Sequence, residues 1–135
     1  MQDLESKIFS IKTQEEFNSC ALDIFRFQTL ENDVYASYLE HLKINPDKVR
    51  EIKEIPFLPI EFFKSHKIVT GTQDANLVFE SSGTTGQQRS LHFIISPKLY
   101  IKSFLETFSN FYGNPANLCI LALLPSYLDR KNSSL

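Results

Sequence analysis

The sequence predicts an α/β fold, in which a helical N-terminal cap (residues 1–54) precedes a partial α/β core (residues 55–135) and forms one compact unit with it. Three patterns predict this class. Apolar residues recur at helical spacing in the cap. Two runs rich in aliphatic and aromatic residues flank a loop of glycine, serine and threonine, which is typical of a hairpin. An amphipathic stretch and an apolar run then follow, as in a βαβ crossover.

Composition and charge exclude several classes of function. The 135 residues are enough for one domain, and 14 Lys and Arg against 16 Asp and Glu give no electrostatic reason to expect nucleic acid as a partner. Cys20 and Cys119 lack metal-ligand spacing and stand in apolar patterns, which predicts buried free thiols and no metal site, with a disulfide between them as the alternative. The sequence shows neither a signal peptide nor an apolar run that could span a bilayer, so we expect a cytoplasmic protein.

Helical patterns dominate the cap. Thr13 and Glu16 stand at capping-box spacing before the first helix. A second helix is expected after Asn32, where apolar residues repeat at steps of three and four. Asn45 as N-cap and Pro46 at the first helical position predict a third helix.

The core begins where prolines interrupt the helical pattern. Pro56 and Pro59 favour extended backbone before them, so we expect only a helical turn at 60–64 and then a short strand at 67–69. Two further strands are expected at 76–80 and 90–95, on either side of the hydroxyl-rich loop.

The remaining pattern predicts a helix and a buried strand. Ser96 and Pro97 are a helix start, and Gly113 is a suitable stop. The run 118–125 is apolar at nearly every position, which is typical of a strand buried on both faces and completes the βαβ crossover. We also expect this run to leave an apolar surface through which copies of the chain self-associate.

The loop between the two central strands concentrates hydrogen-bond donors. Glycine at 83 and 86 permits positive φ and close approach of a ligand, and successive N–H groups of such a turn can surround an anion. Arg89 adds a cation with forked geometry. This combination predicts a site for the polyphosphate of a nucleotide, with an ordinary ligand-free hairpin loop as the alternative. The predicted loop residues are Ser81, Ser82, Gly83, Thr84, Thr85 and Gly86.

Neither familiar nucleotide motif is present, because the glycine spacing fits neither a Walker A loop nor a GxGxxG fingerprint. His92, two residues after Ser90, either binds phosphate or is a hydrogen-bonded structural histidine. The spacing around His41 and His66 indicates no catalytic triad, and the catalytic residues are not identified.

The loop "SSGTTGQQRS" (81–90) resembles the phosphate loop of adenylate-forming enzymes, the superfamily of acyl-CoA synthetases and luciferases. Within that superfamily the chain is most similar to the acyl-protein synthetases of the LuxE type. The similarity covers almost the whole chain, through "IPFLPIEFFKSH" (55–66), "SSGTTGQQRSLH" (81–92) and "LALLPSYLDRKNSSL" (121–135). It departs where the family's Pro-Lys-Gly is replaced by residues 88–90, which leaves Arg89 as the basic residue.

The resemblance implies ATP with Mg²⁺ as cofactors and a fatty or other carboxylic acid as substrate. The acid attacks the α-phosphate, acyl-adenylate forms, and the acyl group passes to a thiol of an acceptor or partner protein. The loop hydroxyls would hold the β- and γ-phosphates. Pro125, Ser126 and Tyr127 stand where relatives have a motif near the acyl pocket; they either line that pocket or end a core strand.

The later motifs of the superfamily, for magnesium, ribose and the adenylation lysine, are not found in this sequence. We therefore expect the N-terminal fragment of a larger adenylate-forming fold, inactive in isolation. The alternative is a nucleotide- or anion-binding or interaction module without catalysis.

Overall fold

The computed structural model describes residues 2–81, 88–119 and 121. The chain divides into two compact units, Met1–Phe62 and Phe63–Leu135. Among the described residues the helices are α1 (Gln2–Ile8), α2 (Gln14–Glu31), α3 (Asp33–His41), α4 (Phe62–Ser65) and α5 (Pro97–Tyr112). The strands are β1 (Leu77–Glu80) and β2 (Leu91–Ile94), and 3₁₀ turns occur at Pro46–Lys48, Ile52–Glu54 and Pro115–Asn117. This combination agrees with the α/β class; the division at residues 54 and 55 stays a prediction.

Two helix caps organise the first unit. The predicted capping box starts α2: Glu16 N donates to Thr13 Oγ1 and Thr13 N donates to Glu16 Oε2, both at 3.1 Å. Asn32 then ends α2 and begins α3, because its N–H donates to the Gln28 carbonyl and its Oδ1 accepts from Tyr35 N. One buried residue thus satisfies orphan backbone groups of both helices and sets the turn between them.

The apolar core of the first unit forms where α2, α3 and the chain after them meet. Its buried members are Phe25, Tyr35, Leu39 and Val49. The rings of Phe25 and Tyr35 pack edge to face, with centroids 6.1 Å apart. Tyr35 Oη donates to the Pro56 carbonyl at 2.7 Å, which ties α3 to the proline-containing segment.

The prediction of a third helix after Asn45 is wrong, because the structure has two separate 3₁₀ turns there instead of a continuous helix. Asn45 does cap the backbone, since its Oδ1 accepts from Asp47 N at 2.9 Å, but a 3₁₀ turn of three residues follows. Val49 has extended backbone and is only 5% exposed. Extended backbone at Val49 places this side chain in the core and interrupts the helix, and a second, separate 3₁₀ turn follows at Ile52–Glu54. Helix α1 was not predicted.

The predicted hairpin is confirmed in the second unit. β1 and β2 pair antiparallel, with Leu77 opposite Ile94 and Phe79 opposite His92. The predicted turn before it is confirmed as α4, which begins two residues later than expected. The predicted strand at 67–69 is wrong: these residues form no ladder, and Lys67 Nζ instead lies 5.7 Å from the centroid of the Phe93 ring.

Helix α5 has the predicted bounds. Leu99 N donates to Ser96 Oγ at its start, and Gly113 follows its end with φ of 79°, a value that favours glycine. Tyr100 packs on Phe79 of β1, with ring centroids 5.3 Å apart. Most of the apolar face of α5 is nevertheless exposed, including Phe104 at 49% and Phe111 at 79%.

The buried strand predicted at 118–125 is wrong for the residues that the structure describes. Leu118, Cys119 and Leu121 lie outside any strand and are exposed, Leu121 by 91%. The chain after α5 enters a 3₁₀ turn instead, which the Leu118 N–H closes by donating to the Pro115 carbonyl. Residues 120 and 122–125 lie outside the described residues, so the βαβ crossover has no second strand in the described part. Self-association through this run stays a prediction.

Exposure differs between the two cysteines. Cys20 is buried in α2, as predicted, whereas the prediction of a buried thiol is wrong for Cys119. An apolar sequence pattern provides no neighbours by itself, and Cys119 follows the 3₁₀ turn rather than entering a sheet. Within the described ranges, no helix is both long and apolar enough to cross a bilayer.

Tyr35 predicts how stability responds to alkaline pH. Burial, and secondarily the charge of Tyr38, raises the pKa of Tyr35 from 10.0 to about 12. A raised pKa means that the folded state favours the neutral phenol. The contribution of the neutral Tyr35 side chain to the free energy of unfolding is therefore complete below pH 10.0 and is lost as pH rises toward about 12. Tyr35→Phe should lower the free energy of unfolding by about 1 kcal/mol near neutrality, because the hydrogen bond to Pro56 is lost.

Urea unfolding of the parent, Tyr35→Phe and Tyr112→Phe over this pH range measures the effect. Tyr112 is 69% exposed and serves as the matched control. We expect a shallower alkaline loss of stability in Tyr35→Phe alone. Identical pH profiles for the parent and Tyr35→Phe would contradict the assignment.

Candidate phosphate-binding site

The predicted phosphate loop is carried by the hairpin. Its residues Ser82, Gly83, Thr84, Thr85 and Gly86 lie outside the described residues, as does Gln87. The two ends of the loop are described: Glu80 and Ser81 on the incoming side, and Gln88, Arg89 and Ser90 on the outgoing side. The geometry of these ends determines where the loop leaves and rejoins the sheet.

Two hydrogen bonds between Ser81 and Ser90 close the base of the loop. Ser81 N donates to the Ser90 carbonyl at 3.0 Å, as in an antiparallel ladder. Ser90 N donates to Ser81 Oγ, also at 3.0 Å, so a side-chain oxygen accepts in place of the backbone carbonyl. The Ser81 hydroxyl keeps its own proton and can still donate it to a ligand. Ser81 therefore has a structural role at the base, and its predicted contact with phosphate stays a prediction.

Arg89 forms an ion pair at the mouth of the loop. Its Nη1 lies 3.0 Å from Glu80 Oε2, and the two side chains are 52% and 32% exposed. An ion pair this exposed contributes at most about 1 kcal/mol to the stability of the fold. The guanidinium has further N–H groups that can bind an anion while Glu80 orients one of them. Sequence reasoning missed Glu80, because only the hairpin register brings it beside Arg89.

His92 lies on β2 with one face of its ring covered. It stacks on Phe63 of α4, with centroids 4.8 Å apart and planes inclined by 22°. This contact gives the ring a packing role in the second unit. Whether His92 also binds phosphate stays a prediction.

The segment around α4 reaches the outgoing end of the loop. Gln88 Nε2 donates to the Lys64 carbonyl at 2.5 Å, across 24 positions of sequence. Sequence reasoning missed this contact, because nothing in the local pattern of either residue indicates the other. Part of the quoted stretch 55–66 and the loop stretch 81–92 therefore meet in the folded chain.

Other predicted features receive no support from the described residues. Pro125, Ser126 and Tyr127 lie outside them. Within the described ranges, no three His, Cys, Asp or Glu side chains come together in a way that could hold a metal ion. No buried side-chain nitrogen or oxygen in this part of the chain lacks a hydrogen-bond partner.

Comparison with known proteins identifies the family. The family model for LuxE acyl-protein synthetases matches residues 4–125, which includes both ends of the hairpin loop and the loop itself. The match covers most of the chain, so the protein belongs to the LuxE acyl-protein synthetase family. No curated protein and no solved structure matches the chain.

Arg89 provides a test of the candidate site. If its guanidinium binds phosphate, Arg89→Ala should weaken pyrophosphate binding about two- to fivefold at low salt, and the difference should shrink as salt screens the charge. Isothermal titration over a salt series measures both effects. Arg26→Ala is the matched control, because Arg26 also forms an exposed ion pair, with Asp23 at 3.7 Å in the first unit. Equal affinities for the parent and Arg89→Ala at every salt concentration would remove Arg89 from the site.

Proposed function

We propose that the chain carries the phosphate-binding part of an ATP-dependent acyl-protein synthetase, which activates a fatty or other carboxylic acid as its acyl-adenylate. The observation that carries the proposal is the family match extending over a hydroxyl- and glycine-rich loop between paired strands. Membership in an acyl-protein synthetase family supports the reaction class, and the composition of the loop supports the nucleotide.

The proposed reaction has two steps. A carboxylate oxygen attacks the α-phosphorus of ATP, the bond to the β-phosphate breaks, and pyrophosphate leaves with the bonding electrons. A thiol sulfur of the acceptor protein then attacks the acyl carbon of the acyl-adenylate. The carbon–sulfur bond forms, AMP leaves, and the thiol proton passes to solvent.

In this proposal the loop binds the part of ATP that becomes pyrophosphate. The hydroxyls of Ser82, Thr84 and Thr85, with backbone N–H groups near Gly83 and Gly86, donate to the β- and γ-phosphates. Donors oriented before the reaction stabilise charge that develops on the leaving group without reorganising. The hydrogen bonds between Ser81 and Ser90 support such a role, because they hold the two ends of the loop together.

The resemblance also implies Mg²⁺. Mg²⁺ is usually bound through one or two carboxylates and the substrate phosphates. The described residues offer no cluster of ligands for it, and the proposal therefore assigns none of them to the metal. When bound with ATP, Mg²⁺ would neutralise phosphate charge.

Two further parts of the proposal concern residues and motifs beyond the hairpin. Pro125, Ser126 and Tyr127 are proposed to line the acyl pocket. The chain is proposed to be the N-terminal part of an adenylate-forming fold, since the superfamily motifs for magnesium, ribose and the adenylation lysine are not found in its sequence. Phosphate binding without adenylation is the behaviour expected of these 135 residues.

Ligand binding at the loop can be observed directly. Pyrophosphate or ATP should perturb the amide signals of residues 82–86 more than those of α2. Thr84→Ala should weaken binding about tenfold, as expected for a hydrogen bond to a charged group. Gly86→Val should weaken it further, because a branched side chain blocks approach of the ligand to the backbone. Thr72→Ala, at an exposed threonine of the same unit, is the control. Amide signals of 82–86 that do not move at millimolar ligand would indicate an ordinary hairpin loop.

Acid-dependent exchange of pyrophosphate into ATP distinguishes phosphate binding from activation of the carboxylic acid. We expect the 135-residue chain to bind pyrophosphate but to show no exchange with a fatty acid, because phosphate contacts alone do not position the α-phosphate for attack. A chain that exchanges pyrophosphate would support acid activation and contradict the fragment interpretation. The same assay can be run on a longer protein that contains this chain. If that protein binds pyrophosphate in the loop but shows no exchange, the result would favour the non-catalytic anion-binding module.

A further inference from the structure

An open cleft lies in the first unit, between α2 and the 3₁₀ turn at Ile52–Glu54. Its volume is about 380 Å³, within the range of about 300–1,000 Å³ that is typical of small-molecule sites. Two residues of α2 and four consecutive residues at the start of the turn line it: Asn18, Leu22, Arg50, Glu51, Ile52 and Lys53. All six lie within the described residues, and none of them takes part in the proposed reaction.

Local structure fixes both walls of the cleft. Asn18 and Leu22 are one turn apart on α2, so they lie on the same side of that helix. On the other wall, Glu54 Oε2 accepts from Arg50 N at 2.8 Å and from Glu51 N at 3.1 Å, which orders the backbone where the turn begins. The Glu54 carboxylate is thereby held by the backbone, and the cleft is formed before a ligand arrives.

The polar groups of the cleft offer hydrogen-bond donors to a ligand. Asn18 Oδ1 accepts from Gln14 Nε2 at 2.8 Å, which leaves the NH₂ group of Asn18 to donate. The Lys53 ammonium pairs with Glu51 Oε2 at 2.7 Å, so these two charges offset each other. Within the described part of the chain, the Arg50 guanidinium forms neither a hydrogen bond nor an ion pair. Arg50 is therefore the cation of the cleft that an anion can bind without displacing a carboxylate.

These groups together fit an anion that carries an apolar body. The planar guanidinium of Arg50 presents paired N–H groups that match a carboxylate, and the Asn18 amide adds a neutral donor. Leu22 and Ile52 are half-buried and provide apolar surface in the same cleft. Inorganic phosphate would make no use of this apolar surface, and an alcohol would leave the Arg50 charge without a partner.

We propose that the cleft binds a small monocarboxylate, with its carboxylate on Arg50 and Asn18 and its hydrocarbon part on Leu22 and Ile52. The site lies in the first unit and does not require the phosphate loop, so the inference goes beyond the proposed function. Because the cleft is open and Arg50 is exposed to solvent, we expect Kd values in the millimolar range.

An NMR titration of the whole chain with sodium hexanoate tests binding directly. The amide signals of residues 18–22 and 50–53 should shift and saturate, while those of α5 should not shift. Arg50→Gln should raise Kd about tenfold, as expected when a hydrogen-bonded charge is removed. Arg26→Gln makes the same change at an exposed arginine of the first unit that does not line the cleft, and it should match the parent. Signals that do not shift at the cleft, or equal Kd values for the parent and Arg50→Gln, would overturn the inference.

The chain length and head group of the ligand test its chemical class. Ile52→Ala should raise Kd for hexanoate about threefold and leave Kd for acetate unchanged, because acetate has almost no hydrocarbon to contact the side chain. Sodium phosphate and 1-hexanol should both bind more weakly than hexanoate. If phosphate binds as tightly as hexanoate, the cleft is a general anion site. If 1-hexanol does, the cleft recognises only the hydrocarbon, and either result would overturn the proposed ligand.

The outcome is independent of the phosphate loop. Pyrophosphate is expected to move the amide signals of 82–86, and hexanoate those of 18–22 and 50–53, so each ligand is followed at its own residues. A chain that binds pyrophosphate but not hexanoate would overturn this inference and leave the proposed function standing. A chain that binds hexanoate but not pyrophosphate would do the reverse.

Discussion

The hydrogen bonds between Ser81 and Ser90 are the interaction on which the candidate site depends. They extend the pairing of β1 and β2 by one residue pair and include a side-chain acceptor, so they hold the two described ends of the loop together. Ser90 is 7% exposed and is the buried residue of the second unit within the described ranges, which limits competition from water. The positions of Glu80 and Arg89, on either side of the loop, follow from this closure.

Charge around the loop is balanced locally rather than concentrated. Glu80 faces Arg89 and Asp74 faces Lys67, so two cations near the hairpin each have a carboxylate within ion-pair distance. Both pairs are largely exposed to solvent, so each contributes at most about 1 kcal/mol to stability. The Lys64 carbonyl accepts from Gln88 Nε2, so this lysine contacts the outgoing end of the loop through its backbone.

The two units use their apolar residues differently. In the first unit, Phe25 and Leu39 are almost completely buried in a core that the caps at Thr13 and Asn32 help to form. In the second, α5 keeps helical spacing and correct ends, yet no described residue of α5 is buried. Spacing predicted this helix because caps and periodicity are local. It did not predict exposure, because burial depends on neighbours that the pattern does not specify.

The sequence by itself determined the elements whose causes are local: the capping box at Thr13, the helix that follows Asn32, the start of α5 at Ser96 and the two strands around the loop. It also indicated the family, through stretches that can be read without a structure. Only the tertiary structure decided that Val49 interrupts a helix to reach the core and that residues 67–69 form no strand. It also brought Glu80 to Arg89 and Gln88 to Lys64. These contacts join residues 9 and 24 positions apart, and the free energy that selects them comes from the packed chain rather than from local preference.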